Sequence, residues 1–193
     1  MSHLRRSEYQ VDTIPLAMAR DLIAAHHYAG GSSNTAVYRH GLFHVAEPME
    51  CLGVTLWLPP TQPAAASVAD DWRGVLSLTR LVVVPGMPTN SASYLLGQSI
   101  KLIRADGRFH TLVTYADEGQ GHTGAIYRAT NWDYLGPMKG HPRWVDSAGR
   151  QVATKATTNR TYEQMSQLGY QRLPASRKHK FVMRFRQSLS PLP

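Results

Sequence analysis

Cysteine is nearly missing from this chain: Cys51 is the only one in 193 residues. An intramolecular disulfide and a cysteine-based zinc cluster are both excluded, and a reducing compartment, the cytoplasm, is the expectation. Long hydrophobic runs are missing too, since none approaches the roughly 18 apolar residues that suggest a membrane span. The first ten residues are polar and basic with no apolar stretch behind them, which argues against a secretory signal and for a protein without a membrane partner. No internal repeat is present.

Acidic residues are scarce as well. Thirteen Asp and Glu stand against 21 Lys and Arg, for a net charge of +8. An anionic partner is expected, with nucleic acid first among them; a polyphosphate cofactor or an acidic surface has the same sign, and a basic soluble protein is the plain alternative. The hydrophobic fraction of 42% and charged fraction of 18% suit a packed core, and 193 residues suit one domain.

Periodicity places the elements. Asp12 or Thr13 can cap a helix that starts near Pro15, carries Leu16, Ala19, Leu22 and Ile23, and stops before Gly30 and Gly31. Residues 37–46 and 51–58 read as a hairpin around a turn at 47–50. Residues 59–69 lack periodicity and read as a long mobile loop. Residues 75–84, crowded with β-branched side chains, read as the central strand, ended by Pro85 and Gly86.

Asn90 or Ser91 then caps a helix with Leu95, Leu96, Ile100 and Ile103 at helical spacing, ending by Asp106 and Gly107. A strand at 111–116, a short helix near 124–129, a strand around 132–135 and a hairpin at 143–153 follow. The tail reads as a helix at 162–168 and a basic strand at 180–186. The mixture indicates an α/β (α+β) sheet protein.

The most informative run is Tyr115-Ala116-Asp117-Glu118 followed by residues 121–136. It resembles the part of GNAT acetyltransferases in which the fifth strand leads to a helix bearing a tyrosine, a short turn, and an aromatic residue opening the next strand. Three further islands stand in matching order: His26-His27-Tyr28, Leu78-Thr79-Arg80-Leu81 and Asn90-Ser91-Ala92-Ser93. With them the chain resembles the Mom family of phage DNA-modification proteins over residues 16–185.

That resemblance implies a single GNAT-like acyltransferase domain over 1–193, with a mixed central sheet, splayed central strands, flanking helices and a basic C-terminal strand. It also implies acetyl-CoA as donor and double-stranded DNA as acceptor. The expected product is adenine carrying a carbamoylmethyl-type group on its exocyclic amine, which blocks host restriction nucleases. For a phage gene the site of action is the bacterial cytoplasm. Two alternatives remain open: a GNAT acetyltransferase acting on another amine, whether hypermodified base, protein or small molecule, and a DNA-binding module without catalysis.

Residues take roles accordingly. Backbone groups of Leu81, Val82 and Val83 would pair with pantetheine. Asn90, Ser91 and Ser93 would offer a helix N-terminus to pyrophosphate. The loop at 85–90 departs from the GNAT pattern, with one glycine and two prolines, and simple helix capping explains Asn90 and Ser91 without any ligand. Tyr127, whose phenol holds its proton at neutral pH, is the candidate general acid for the CoA thiolate, against a role as a packing aromatic. Asp117 and His122 are candidates for base, amine orientation or metal binding, against ordinary loop roles.

Adjacent His26 and His27 point about 100° apart on a helix. Together with His44 and Asp117 they leave open a mononuclear metal site, with iron as the possible ion. DNA contacts are expected from Tyr28, Arg39, Lys155, Arg160, Arg177, Lys178 and Lys180, with Arg184 and Arg186 alternating with Phe181, Val182 and Phe185. Trp57, Trp132, Tyr134 and Trp144 are candidates for lining a flipped-base pocket, though most tryptophans serve cores.

Overall fold

The computed structural model describes residues 3–27, 34–150, 152, 154–157 and 159–185. The elements are β1 (Tyr9–Thr13), α1 (Leu16–His26), β2 (Tyr38–His44), β3 (Gly53–Leu58), α2 (Gln62–Ala66), β4 (Val75–Val83), α3 (Ser91–Asp106), β5 (Thr111–Asp117), α4 (Ala125–Ala129), β6 (Asp133–Val145), α5 (Thr154–Thr157), α6 (Tyr162–Gln167) and β7 (Gln171–Arg184). The strand order is β1-β2-β3-β4-β5-β7-β6. The first four strands pair antiparallel and β4 pairs parallel with β5, so the sheet is mixed. Two compact units divide the chain: residues 1–114, 125–134 and 181–193, and residues 115–124 and 135–180.

In the first unit, α1 buries Ala19, Leu22 and Ile23, spaced by three and four residues on one stripe, against Phe43, Val54, Leu56 and Val82 of the sheet. Each such aliphatic side chain removed from water contributes about 1.5–3 kcal/mol. α3 covers the other face with Leu95, Leu96, Ile100 and Ile103. It stops at Gly107, whose φ of 78° is left-handed and whose N–H returns to Ile103 O, a position that favours glycine because it lacks a Cβ.

The pairing of β4 is uneven along its length. With β5 it pairs only through Val75↔Thr111, Leu76↔Leu112 and Ser77↔Val113. With β3 the register jumps from Leu56↔Arg80 to Trp57↔Leu78, so Thr79 is an extra residue on β4. Its Oγ1 donates to Leu56 O at 3.1 Å. A bulge of this kind bends its strand and increases local twist. It falls two residues beyond the last β5 rung.

In the second unit, Thr161 and Gln164 form a reciprocal capping box that starts α6, and α6 buries Met165. Trp144 packs at 5.5 Å against Tyr162. After β6 the chain reverses at residues 146–150, where Asp146 Oδ1 accepts from the Ala148 and Arg150 amides.

Several expectations need correction. Asp12 and Thr13 do not cap α1; they belong to β1, and the cap position is Pro15 without a side-chain bond. Residues 59–69 are not one irregular loop, because α2 forms there and buries Ala65, with Val68 buried behind it. The strands at 132–135 and 143–145 are one strand of 13 residues, and β7 begins at Gln171 instead of 180. Interior glycine and proline disguised both: Gly136, Pro137, Gly140 and Pro142 in β6, and Pro174 in β7.

Candidate functional site

In the first unit the residues expected to hold a cofactor lie on one segment, from the free stretch of β4 to the first turn of α3. Beyond Ser77 the β4 edge that faced β5 has no further ladder rungs. Val82 is buried with the α1 core, whereas Leu81 and Val83 pack on the opposite face with Leu95. Their side chains are thus committed to packing, and what this stretch can offer a ligand is backbone.

Asn90 holds the N-cap position of α3, but its side chain does not cap. Its Oδ1 accepts the Leu4 N–H at 2.7 Å, while its carbonyl accepts from Ser93 Oγ and the Tyr94 amide, both at 2.9 Å. The capping expected of Asn90 or Ser91 is therefore corrected. Ser91 is buried and its Oγ has no hydrogen-bond partner. The Ser91 N–H bonds to Pro88 O at 3.0 Å, and with the cap side chain engaged elsewhere the amides of Ala92 and Ser93 and the helix dipole are what this end offers an anion.

Tyr127 sits half-buried on α4. Its ring lies 5.7 Å from Trp132 and 5.1 Å from Phe181. Trp132 follows Asn131, whose φ of 63° turns the chain back so that the Trp132 N–H reaches Tyr127 O at 3.0 Å. Trp132 is buried, stacks on Trp57 at 6.4 Å, and its Nε1 has no partner. Arg128 extends the group, its guanidinium 5.1 Å from the Tyr134 ring and 5.3 Å from that of Phe181.

Beneath this group lies a polar cluster that sequence reading missed. Ser99 Oγ, fully buried on α3, receives Trp57 Nε1–H at 2.8 Å and lies 2.7 Å from His40 Nδ1 and 3.0 Å from Thr55 Oγ1. A hydroxyl has one donor and two acceptor sites, so these three partners use its whole capacity. Burial, with the Arg39 charge beside it, pulls the His40 pKa down to about 4. The imidazole is neutral at physiological pH. Only the unusual polar position in the otherwise apolar stripe of α3 hinted at this cluster.

In the second unit Asp117 ends β5 and is buried. Its Oδ1 accepts from the Gly119 amide at 2.9 Å and from Ser176 Oγ at 3.0 Å. His122 is exposed, with its backbone N–H on Asp117 O at 3.2 Å. Glu118 lies 2.6 Å from His179 Nε2.

Among the described residues no three His, Cys, Asp or Glu side chains converge as a metal site, so the iron site left open at His26, His27, His44 and Asp117 is unsupported. His44 Nδ1 already accepts the Ala46 amide, and its ring stands edge-on to Tyr9. Among the described residues no helix is long and apolar enough to cross a membrane.

The expected DNA contacts divide. Arg39 is turned inward, donating to Ile14 O at 3.1 Å and Ala36 O at 2.9 Å. Arg160, Arg177 and Lys178 are exposed and Lys180 is half-buried. Lys155 is on α5, while Tyr28 and Arg186 lie outside the described residues. Phe181 and Val182 are both fully buried, so the alternation read in β7 fails there; Arg184 donates to Val68 O at 3.0 Å.

A model of the Mom protein family matches residues 8–189. The chain belongs to the Mom protein family. Among its relatives, the methylcarbamoylase mom of Escherichia phage Mu is 30% identical over 133 residues. That match covers 67% of this chain and 54% of the relative, so it spans about half the relative's length.

Solved structures supply the fold of this Mom-family chain. A spermidine N-acetyltransferase from Vibrio cholerae superposes with a TM-score of 0.58 at 7% identity, covering 95% of this chain and 98% of the other. An acetyltransferase from Salmonella typhimurium, solved with its cofactor acetyl-CoA, gives 0.56 at 9% identity, covering 96% and 98%. At such identities the likeness is one of fold, that of the GNAT acetyltransferases. The mixed sheet flanked by helices read from the sequence is the architecture observed.

Proposed function

We propose that this Mom-family chain is a DNA-modifying acyltransferase that draws on acetyl-CoA and leaves a carbamoylmethyl-type group on the exocyclic amine of adenine, protecting phage DNA from restriction. The observation that carries this reading is the early end of the β4–β5 ladder at Ser77↔Val113, in a chain whose family model runs through nearly its whole length. Of Leu81, Val82 and Val83, Val82 turns its backbone groups toward Val54 of β3, as Val84 does toward Leu52, so the groups of Leu81 and Val83 are those that suit the amides of pantetheine. The first turn of α3, at Ala92 and Ser93, suits pyrophosphate.

Transfer of the acetyl unit forms a bond from the amine to the thioester carbonyl carbon while the C–S bond breaks, and the departing thiolate takes a proton; a carbamoylmethyl group further requires a nitrogen donor and a two-electron oxidation that acetyl-CoA does not supply. Tyr127 is the group we assign to deliver the thiolate's proton: a phenol set among Trp132 and Phe181. The amine must in turn lose a proton, and Asp117 is the carboxylate we assign to receive or orient it. Exposed Arg160, Arg177 and Lys178 supply phosphate contacts without reading sequence.

Two measurements test the proposal. Hydrolysed DNA from cells expressing the chain should contain a modified deoxyadenosine by mass spectrometry, absent with Tyr127→Phe. Calorimetric titration of the purified chain with acetyl-CoA should give a saturable heat. Unmodified nucleosides together with acetyl-CoA turnover on small amines would replace DNA by another acceptor, and an absence of heat would leave a DNA-binding module.

A further inference from the structure

In the second unit a cation lacks a counterpart. Arg143, on β6, is half-buried, and its Nε is buried without a hydrogen-bond partner. None of the ion pairs among the described residues includes it; Glu118, the acid beside Asp117, is paired with His179 instead. A guanidinium is always charged and carries five donors, and burying its Nε–H without an acceptor is costly.

Its position is built. The guanidinium lies across the α-carbon of Gly119: a Cβ there would stand 2.7 Å from Arg143 Cζ and 2.7 Å from Ser176 Cβ, a space only glycine leaves open. Gly119 and Ser176 are also the two residues that donate to Asp117 Oδ1. Both bonds fall on the same oxygen, and Oδ2 keeps its acceptor capacity. One small framework therefore holds a carboxylate acceptor and a guanidinium donor side by side.

We propose that Arg143 and Asp117 together take the edge of a base that presents an exocyclic amine next to a ring nitrogen, the amine donating to Asp117 Oδ2 and the ring nitrogen accepting from the Arg143 guanidinium. Ser176 and Gly119 are positioning residues for that pair. A phosphate would satisfy Arg143 alone and leave Asp117 Oδ2 unused. A carbonyl in place of the amine, as in guanine or thymine, would meet the carboxylate acceptor to acceptor. Adenine has the required edge, and cytosine shares it.

This inference rests on the reading of the chain as a base-modifying enzyme and adds residues that discriminate the base. The test uses the full chain and short single-stranded oligonucleotides bearing one central adenine, cytosine, hypoxanthine, purine, 1-deazaadenine or 7-deazaadenine in an otherwise constant sequence. Adenine should bind about 10-fold or more tighter than hypoxanthine and purine, as one discriminating polar pair implies. One of the two deaza analogues should lose a similar factor, which identifies the ring nitrogen without any variant.

Arg143→Met should erase the adenine preference, while Arg143→Lys restores affinity but only part of the discrimination. Gly119→Ala should act like Arg143→Met by displacing the guanidinium. Acetyl-CoA affinity should be the same in all. Equal binding of adenine, hypoxanthine and both deaza analogues by the unaltered chain would overturn the proposal, as would an Arg143→Met chain that keeps the preference. Selectivity for cytosine over adenine would retain the pair and correct the base. Because acetyl-CoA affinity is read separately, failure of this pocket is distinct from failure of the acyltransferase reading.

Discussion

Trp57 Nε1 donates to Ser99 Oγ at 2.8 Å directly beneath the stack that Trp57 makes with Trp132. The same hydroxyl serves His40 and Thr55, so its removal strands three buried groups at once. Ser99→Ala should cost about 2–4 kcal/mol in urea unfolding, more than an ordinary buried serine, because each stranded polar group carries a desolvation penalty of about 1–3 kcal/mol and the three partly re-pair. A loss under about 1 kcal/mol would show that the cluster re-forms around water.

His40 sets the acid limit of stability. Its folded pKa of about 4 lies below the ordinary histidine value of 6.5, because burial and Arg39 disfavour the charged ring. Between those pH values the unfolded chain binds the proton and the folded one does not. Stability from this group is complete above pH 6.5 and falls as pH drops toward 4, by up to about 3 kcal/mol. His40→Gln should flatten that part of the stability profile, and an unchanged slope in the variant would assign the acid sensitivity elsewhere.

For Tyr127, Tyr127→Phe should lower the turnover of DNA modification by about 10²–10⁴, the usual contribution of a positioned acid. Its acetyl-CoA Kd should hold within about twofold, because the ring contacts with Trp132 and Phe181 survive. Full turnover in the variant would remove Tyr127 from proton delivery.

Salt titration checks the nucleic-acid contacts. Replacing both Arg177 and Lys178 by Ala should reduce the magnitude of the slope of log affinity for duplex DNA against log salt by about 2, at roughly 0.9 per phosphate contact. Arg39→Ala should leave the slope alone and instead lower stability, since its donors hold Ile14 O and Ala36 O.

Cys51 should be inert in the folded chain. Burial raises its thiol pKa, and Sγ donates to Gly53 O at 3.3 Å. Alkylation by iodoacetamide at neutral pH should proceed at least about 10-fold faster in denaturant than in buffer, since only the exposed thiolate reacts. Equal rates would place the thiol at the surface.

How much was legible varied with the kind of residue pattern. α1, the β2–β3 hairpin, β4 and α3 were readable because their apolar positions repeat with the period of the element that buries them. Gly107 marked the end of α3 for a local reason, its left-handed backbone. β1 was hidden because only Tyr9 and Val11 of its five residues are even half-buried, so it carries little of the alternation that announces a strand.

The candidate site divides in the same way. Tyr127 and Asp117 stood out in one informative run, and Trp132, the aromatic just before β6, was marked with them. Arg143 and Ser176 were not, for they lie far along the chain from Asp117 and nothing local distinguishes an arginine that packs over a glycine from one in solvent.

By itself the sequence determined the alternation of apolar and polar residues, the excess of positive charge and the family. These follow from neighbours along the chain or from a sum over it. The tertiary structure alone decided where β4 parts from β5, which hydroxyl gathers His40, Thr55 and Trp57, and that the buried Arg143 Nε over Gly119 has no acceptor. Each of those is a matter of partners distant in sequence, and hydrogen-bond capacity is filled or left open only when the chain has brought them within about 3 Å.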